Sequence, residues 1–94
     1  MDSRIAEHVP DILRLARRRR LLRVSVFGSA ARGEAGAHSD VDLLVDPDER
    51  ASLFHLLGFE LDVEELLGQH VDVVSRRGLS PHLADRILAE EVPL

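Results

Sequence analysis

The sequence contains neither cysteine nor lysine. Without cysteine there is no disulfide framework and no thiolate metal site, which fits a reducing cytoplasm. Without lysine, arginine accounts for all 12 of its strongly basic side chains, a usage that genome composition or high growth temperature explains equally well. No apolar run approaches the length of a membrane span, and Met1 to Ala6 lacks the basic and apolar regions of a secretion signal. A soluble, cytoplasmic protein is expected. The net charge of −5 argues against nonspecific nucleic-acid binding, which needs cationic surface to displace counterions from phosphate. There is also no room for a second core. With 45% hydrophobic residues over 94 positions, a single domain spanning 1–94 is expected. No internal repeat or low-complexity segment interrupts it.

Apolar periodicity predicts an alternation of helix and strand. A helix is expected from Ile5 to about Arg20, with Ile5, Val9, Ile12, Leu13 and Ala16 on its inner stripe and Pro10 dividing off a short first turn. Strands are expected over Leu22–Phe27, Val41–Val45 and Val71–Val74, and a short helix starting at Ala30–Arg32. Gly33 to Ser39 reads as a loop. Asp46 to Asp48 should stop the second strand and offer a helix N-terminus, followed by a helix within Glu49–Leu67 that Gly58 breaks and Gly68-Gln69 caps. Ser80-Pro81 opens a last helix to about Glu91 with Leu83, Ile87 and Leu88 inward. The fold class is therefore α/β (α+β): a small mixed sheet of about three strands with helices packed on it.

Three carboxylates and one turn stand out against this frame. The strand ending Phe27-Gly28-Ser29 is followed, after ten residues, by Asp40-Val41-Asp42, and Asp72 lies in the third strand. Side chains two apart on a strand share a face, with Cα atoms roughly 6–7 Å apart. Two carboxylates so placed repel each other unless a cation or donors compensate. Mg²⁺ does so: it takes oxygen ligands, commonly one or two carboxylates, and completes its shell with water and phosphate oxygens. A third carboxylate from a neighbouring strand, for which Asp72 is placed, suits a second metal ion or a base near an attacking hydroxyl. Gly28 lets the backbone turn tightly against a ligand, amides that follow point donors at an anion, and the Ser29 hydroxyl adds another. A polyphosphate fits between turn and metal.

Each piece has an ordinary reading as well. The Asp40/Asp42 pair alone also fits a solvated edge strand, and an acid between valines such as Asp72 is common on a half-exposed strand. Arg32 either reaches phosphate or sits beside Glu34, and Ser39 ends the loop. Six arginines fall between Arg14 and Arg23, where they suit a helix C-terminus or a docking patch for an acidic partner or RNA. The five histidines, His8, His38, His55, His70 and His82, show no ligand spacing; only His38 and His70 lie near the acids in sequence. Other phosphate-binding patterns fail: Gly28 to Gly33 has P-loop glycine spacing, but Glu34 and Ala35 stand where Lys and Ser or Thr are needed. No dinucleotide-binding glycine pattern occurs, and no calcium loop.

Gly28-Ser29-Ala30-Ala31-Arg32-Gly33-Glu34, then Ser39-Asp40-Val41-Asp42-Leu43, then Val71-Asp72-Val73 resembles the minimal nucleotidyltransferases of the DNA polymerase beta-like superfamily, over nearly the whole chain. The resemblance implies the polymerase-beta-like nucleotidyltransferase fold and attack of an acceptor hydroxyl on the α-phosphate of a nucleoside triphosphate, with ATP as substrate and Mg²⁺, as two ions, as cofactor. It implies Asp40, Asp42 and Asp72 as catalytic and metal-binding residues, with Asp72 assisting the acceptor, and Gly28, Ser29 and Arg32 as nucleotide-binding residues. Larger relatives recognise their acceptor with extra domains, so here recognition is expected to lie with the partner. Minimal nucleotidyltransferases are often encoded beside a HEPN-domain toxin and silence it as an antitoxin by adenylylating a tyrosine. Two other classes remain open: a binding module that neutralises its partner by contact, and a metal-dependent nuclease, which gives no reason for Gly28-Ser29.

Overall fold

The computed structural model describes residues 1–33 and 40–94. Asp2 opens it as an N-cap: its Oδ1 accepts the Arg4 backbone N–H at 2.8 Å and starts α1 (Ser3–Glu7). Pro10 sits in the first turn of α2 (Val9–Arg18), so the expected division at this proline is observed. Ile5, Ile12 and Ala16 are buried. Arg20, in the left-handed region at φ 63°, turns the chain into β1 (Leu21–Phe27).

After β1 come α3 (Gly28–Arg32), β2 (Val41–Pro47), α4 (Leu53–Leu67), β3 (Val71–Ser75), a 3-10 turn at Arg76–Gly78, α5 (Pro81–Glu90) and β4 (Val92–Pro93). The sheet has the order β3-β2-β1-β4. β1 pairs antiparallel with β2 and β4, whereas β2 and β3 run parallel. A parallel pair needs a crossover, and α4 supplies it. Val26, Val41, Leu43, Val45, Phe59, Val63 and Val71 join the α1 and α2 residues in one buried core. Among the described residues, no helix is long and apolar enough to cross a membrane.

Several expectations are corrected. The sheet has a fourth strand, β4, which closes on Ser25 and Val26 of β1; two residues, one a proline, carry no alternation to read. It is tied down from below: Glu91 accepts from the buried Ser25 hydroxyl at 2.8 Å and from both terminal nitrogens of Arg76 at 2.9 and 2.8 Å, and Arg76 also reaches Asp46 at 2.6 Å. Gly58 does not break α4. It leaves room for a side chain, since a Cβ there would stand 2.7 Å from the Arg19 guanidinium carbon, and Arg19 crosses it to pair with Asp62 at 2.9 Å. The N-cap of α4 is Ser52, whose N–H donates to His55 Nδ1 at 2.9 Å. Asp48 instead binds the Arg50 N–H and the Arg20 guanidinium, while β2 continues through Pro47. On α5 only Ile87 is buried; Leu83 and Leu88 are exposed. The arginine run lies at the end of α2, with Arg19 and Arg20 engaged by acids and Arg17 and Arg18 exposed.

Candidate functional site

The C-terminal end of β1 and the N-terminal ends of β2 and β3 meet at one edge of the sheet. Register brings this about: Phe27 lies opposite Asp42 across the antiparallel pair, and Asp42 opposite Asp72 across the parallel one. Gly28 turns out of β1 at φ 71° and begins α3, so Ser29 follows directly beside Asp42. The approach is close enough that a side chain at 28 would press on Asp42: a Cβ there would stand 2.7 Å from Asp42 Oδ2. Here the glycine has both conformational and steric reasons.

Asp40, His70 and Asp72 gather beside this turn, with one ligand atom from each lying within 4.8 Å of the others. Asp42 completes the group electrostatically. Its half-buried carboxyl is raised above the ordinary aspartate range, first by burial, then by the charges of Asp72 and Asp40, with His70 opposing. That is a carboxylate short of positive charge. A hard cation with oxygen ligands relieves both the repulsion and the burial cost, so the donor set fits Mg²⁺. His70 donates or accepts at both nitrogens: Nε2 lies 3.0 Å from Asp72 Oδ1 and Nδ1 2.8 Å from Glu64 Oε2. Its pKa is raised, chiefly by the hydrogen bond to Asp72.

A cleft of about 670 Å³ opens from these acids between β3, α3 and α5, lined by Ser29, Arg32, Asp42, Asp72, Leu83 and Ile87 among others. The Arg32 guanidinium pairs across it with Glu90 at 3.2 Å. All six residues singled out from the sequence, Gly28, Ser29, Arg32, Asp40, Asp42 and Asp72, are therefore brought to one end of the sheet or its cleft. Glu34, His38 and Ser39 lie outside the described residues. Sequence reading passed over His70 as a bridging group, and Glu64 altogether. The available signal was the spacing of His70 and Asp72, two apart where the chain enters β3; the reach of Glu64 depends on the turn at Gly68.

The arrangement has relatives. The family described as nucleotidyltransferase domain matches residues 9–94. A Methanocaldococcus jannaschii protein named for protein adenylyltransferase activity is 46% identical over 70 residues, covering 74% of this chain and 75% of its own. The protein adenylyltransferase MntA of Thermococcus cleftensis is 45% identical over 69 residues, covering 73% and 70%. A solved structure described as a minimal nucleotidyltransferase superposes with a TM-score of 0.89 at 44% identity, covering 100% of this chain and 97% of that one. A Shewanella oneidensis MNT antitoxin in complex with tri-AMPylated HEPN toxin shares the fold at 20% identity and a TM-score of 0.68, covering 89% and 66%.

Proposed function

The chain belongs to the nucleotidyltransferase domain family and is a nucleotidyltransferase, and from that premise we propose that it transfers AMP from ATP to a hydroxyl of a partner protein, a HEPN-domain toxin that it thereby silences. The observation that carries this is that Asp42 and Asp72 share one cleft with the Gly28-Ser29 turn, with Asp40 gathered beside Asp72. The relatives' names supply the substrate class: proteins close to this one in sequence are named as protein adenylyltransferases, and one that shares the fold sits on a HEPN toxin. In this reading 1–94 acts as one minimal catalytic unit in the cytoplasm, and recognition of the acceptor belongs to the partner.

The residues divide the work as follows. Ser29 and the turn at Gly28 hold triphosphate oxygens with hydroxyl and backbone donors. Arg32 exchanges its contact with Glu90 for phosphate. Asp40, Asp42 and Asp72 would hold Mg²⁺, two ions in the full arrangement, which when bound neutralises charge on the attacking and leaving oxygens. Asp72, on the outer strand of the three, receives the proton of the acceptor hydroxyl. The acceptor oxygen forms a bond to the α-phosphorus, the bond from that phosphorus to the bridging oxygen breaks, and pyrophosphate leaves. Most of the rate enhancement then comes from positioning and charge compensation.

One observation favours a second reading, neutralisation by contact: Phe54, Leu57 and Leu61 recur on one side of α4 and are exposed, Phe54 to 83%. A run of apolar side chains of this kind suits a protein surface. Coexpression of the chain with a HEPN-domain toxin separates the two. The Asp40→Asn/Asp42→Asn protein is expected to fold and to lose both neutralisation and the AMP adduct that intact-mass measurement finds on the toxin. A folded double variant that still neutralises would place the function in contact instead.

A further inference from the structure

We propose that His70 is a positioning residue that aims Asp72, and that Glu64 in turn fixes His70. This rests on the nucleotidyl-transfer reading above. Glu64 lies in the last turns of α4 and is anchored twice through its own residue: its Oε2 accepts the Val71 N–H at 3.0 Å, and its carbonyl accepts the Gly68 N–H at 2.8 Å as the chain turns through the left-handed Gly68 into β3. The same Oε2 lies 2.8 Å from His70 Nδ1. His70 is held from its backbone too, its carbonyl accepting the N–H of Val41, which lies between Asp40 and Asp42, at 3.2 Å. From that fixed ring, Nε2 reaches Asp72 Oδ1 at 3.0 Å.

Stability does not explain the outer contact, from His70 to Asp72. The side chains of His70 and Asp72 are 56% and 48% exposed, and exposed pairs of this kind contribute little to folding. What the chain of contacts does is restrict a carboxylate that otherwise has free rotamers on a half-exposed strand. A carboxylate, an imidazole and a functional acid in series is the arrangement by which outer groups orient ligands around a reacting centre, and loss of such an outer group commonly costs about 10–100-fold in activity. With one nitrogen of the ring turned to Asp72 and the other to Glu64, the two directions are separable by substitution: a glutamine amide nitrogen reaches the place of Nε2, an asparagine amide nitrogen that of Nδ1.

The test compares wild type, His70→Gln and His70→Asn. Labelling rates are measured with ATP labelled at the α-phosphate in native cell extract, ATP affinity in Mg²⁺ with a fluorescent ATP analogue, and folding by thermal denaturation. His70→Gln is expected to label close to wild type. His70→Asn is expected to label about 10–100-fold more slowly, with melting temperature unchanged and ATP affinity in Mg²⁺ falling no further than the rate. Equal rates for both variants and wild type overturn the proposal. So does a rate retained by Asn and lost by Gln, which would assign the ring to the α4–β3 joint. An absence of label with wild type itself would instead overturn the nucleotidyl-transfer reading on which the proposal stands.

Discussion

Gly28→Ala is the substitution from which the geometry predicts most. The backbone at 28 has φ 71°, and placing an L side chain in that region costs about 1–2 kcal/mol. The new Cβ would also stand 2.7 Å from Asp42 Oδ2, where ordinary contact begins at 3.4 Å. The Asp42 carboxylate must then retreat by roughly 0.7 Å, and since a displacement near 1 Å commonly costs about 100-fold in rate, transfer is expected to fall about 10–100-fold. At about 4–8 °C per kcal/mol for a domain of this size, the melting temperature drops by roughly 4–16 °C. Gly68→Ala supplies the control. Its φ is 70°, but nothing lies within 4 Å of the added Cβ, so it should lose comparable stability without pressing on Asp42, and its transfer rate per folded molecule should fall less than that of Gly28→Ala. Thermal denaturation and label transfer below both melting temperatures measure the two effects separately. Wild-type transfer by Gly28→Ala, or an equal loss in Gly68→Ala, would refute the reasoning, because steric pressure on Asp42 would then have no consequence.

Two substitutions should change stability with opposite dependence on pH. Burial and the charges of Asp72 and Asp40 raise the Asp42 pKa, so its contribution to stability is complete below the usual aspartate range and is lost as pH rises through the raised value. Asp42→Asn should therefore stabilise the metal-free protein at neutral pH, measured by urea denaturation with chelator present; no gain would mean that the carboxylate is already compensated. Glu91 behaves in the other sense. Arg76 first, and Ser25 with it, lower its pKa, so its contribution is present above the usual glutamate range and disappears as pH falls through the lowered value. Glu91→Gln should cost about 1–3 kcal/mol at neutral pH and flatten the acid side of the stability profile; an unchanged urea midpoint would show that β4 does not depend on this pairing.

Much of the fold was legible because its signals are local. Pro10 and Ser80-Pro81 mark helix starts, Gly68 marks a helix end, and the three apolar strands are bounded by turn residues. The carboxylates and the Gly28-Ser29 turn were legible as a group because strand parity and register do the assembling: once β1, β2 and β3 pair, Phe27, Asp42 and Asp72 stand in a row. What escaped the sequence depends on contacts between distant segments. Gly58 looks like a helix breaker until Arg19, 39 positions earlier, lies across it. Leu83 and Leu88 look inward by period alone, yet α5 packs mainly through Ile87 and leaves them exposed. The bond from Glu64 to His70 exists only because the chain reverses at Gly68.

Everything above turns on whether this site moves a nucleoside monophosphate. The most direct measurement supplies purified protein and Mg²⁺ with ATP labelled either at the α-phosphate or at the γ-phosphate, in native extract, beside the Asp40→Asn/Asp42→Asn protein. A discrete protein band labelled from the α-phosphate is expected with wild type and not with the double variant, over the labelling of the extract alone, while neither protein adds a band from the γ-phosphate. A band that wild type adds from the γ-phosphate, or one added from the α-phosphate by the double variant as readily as by wild type, would rule out nucleotidyl transfer at these acids.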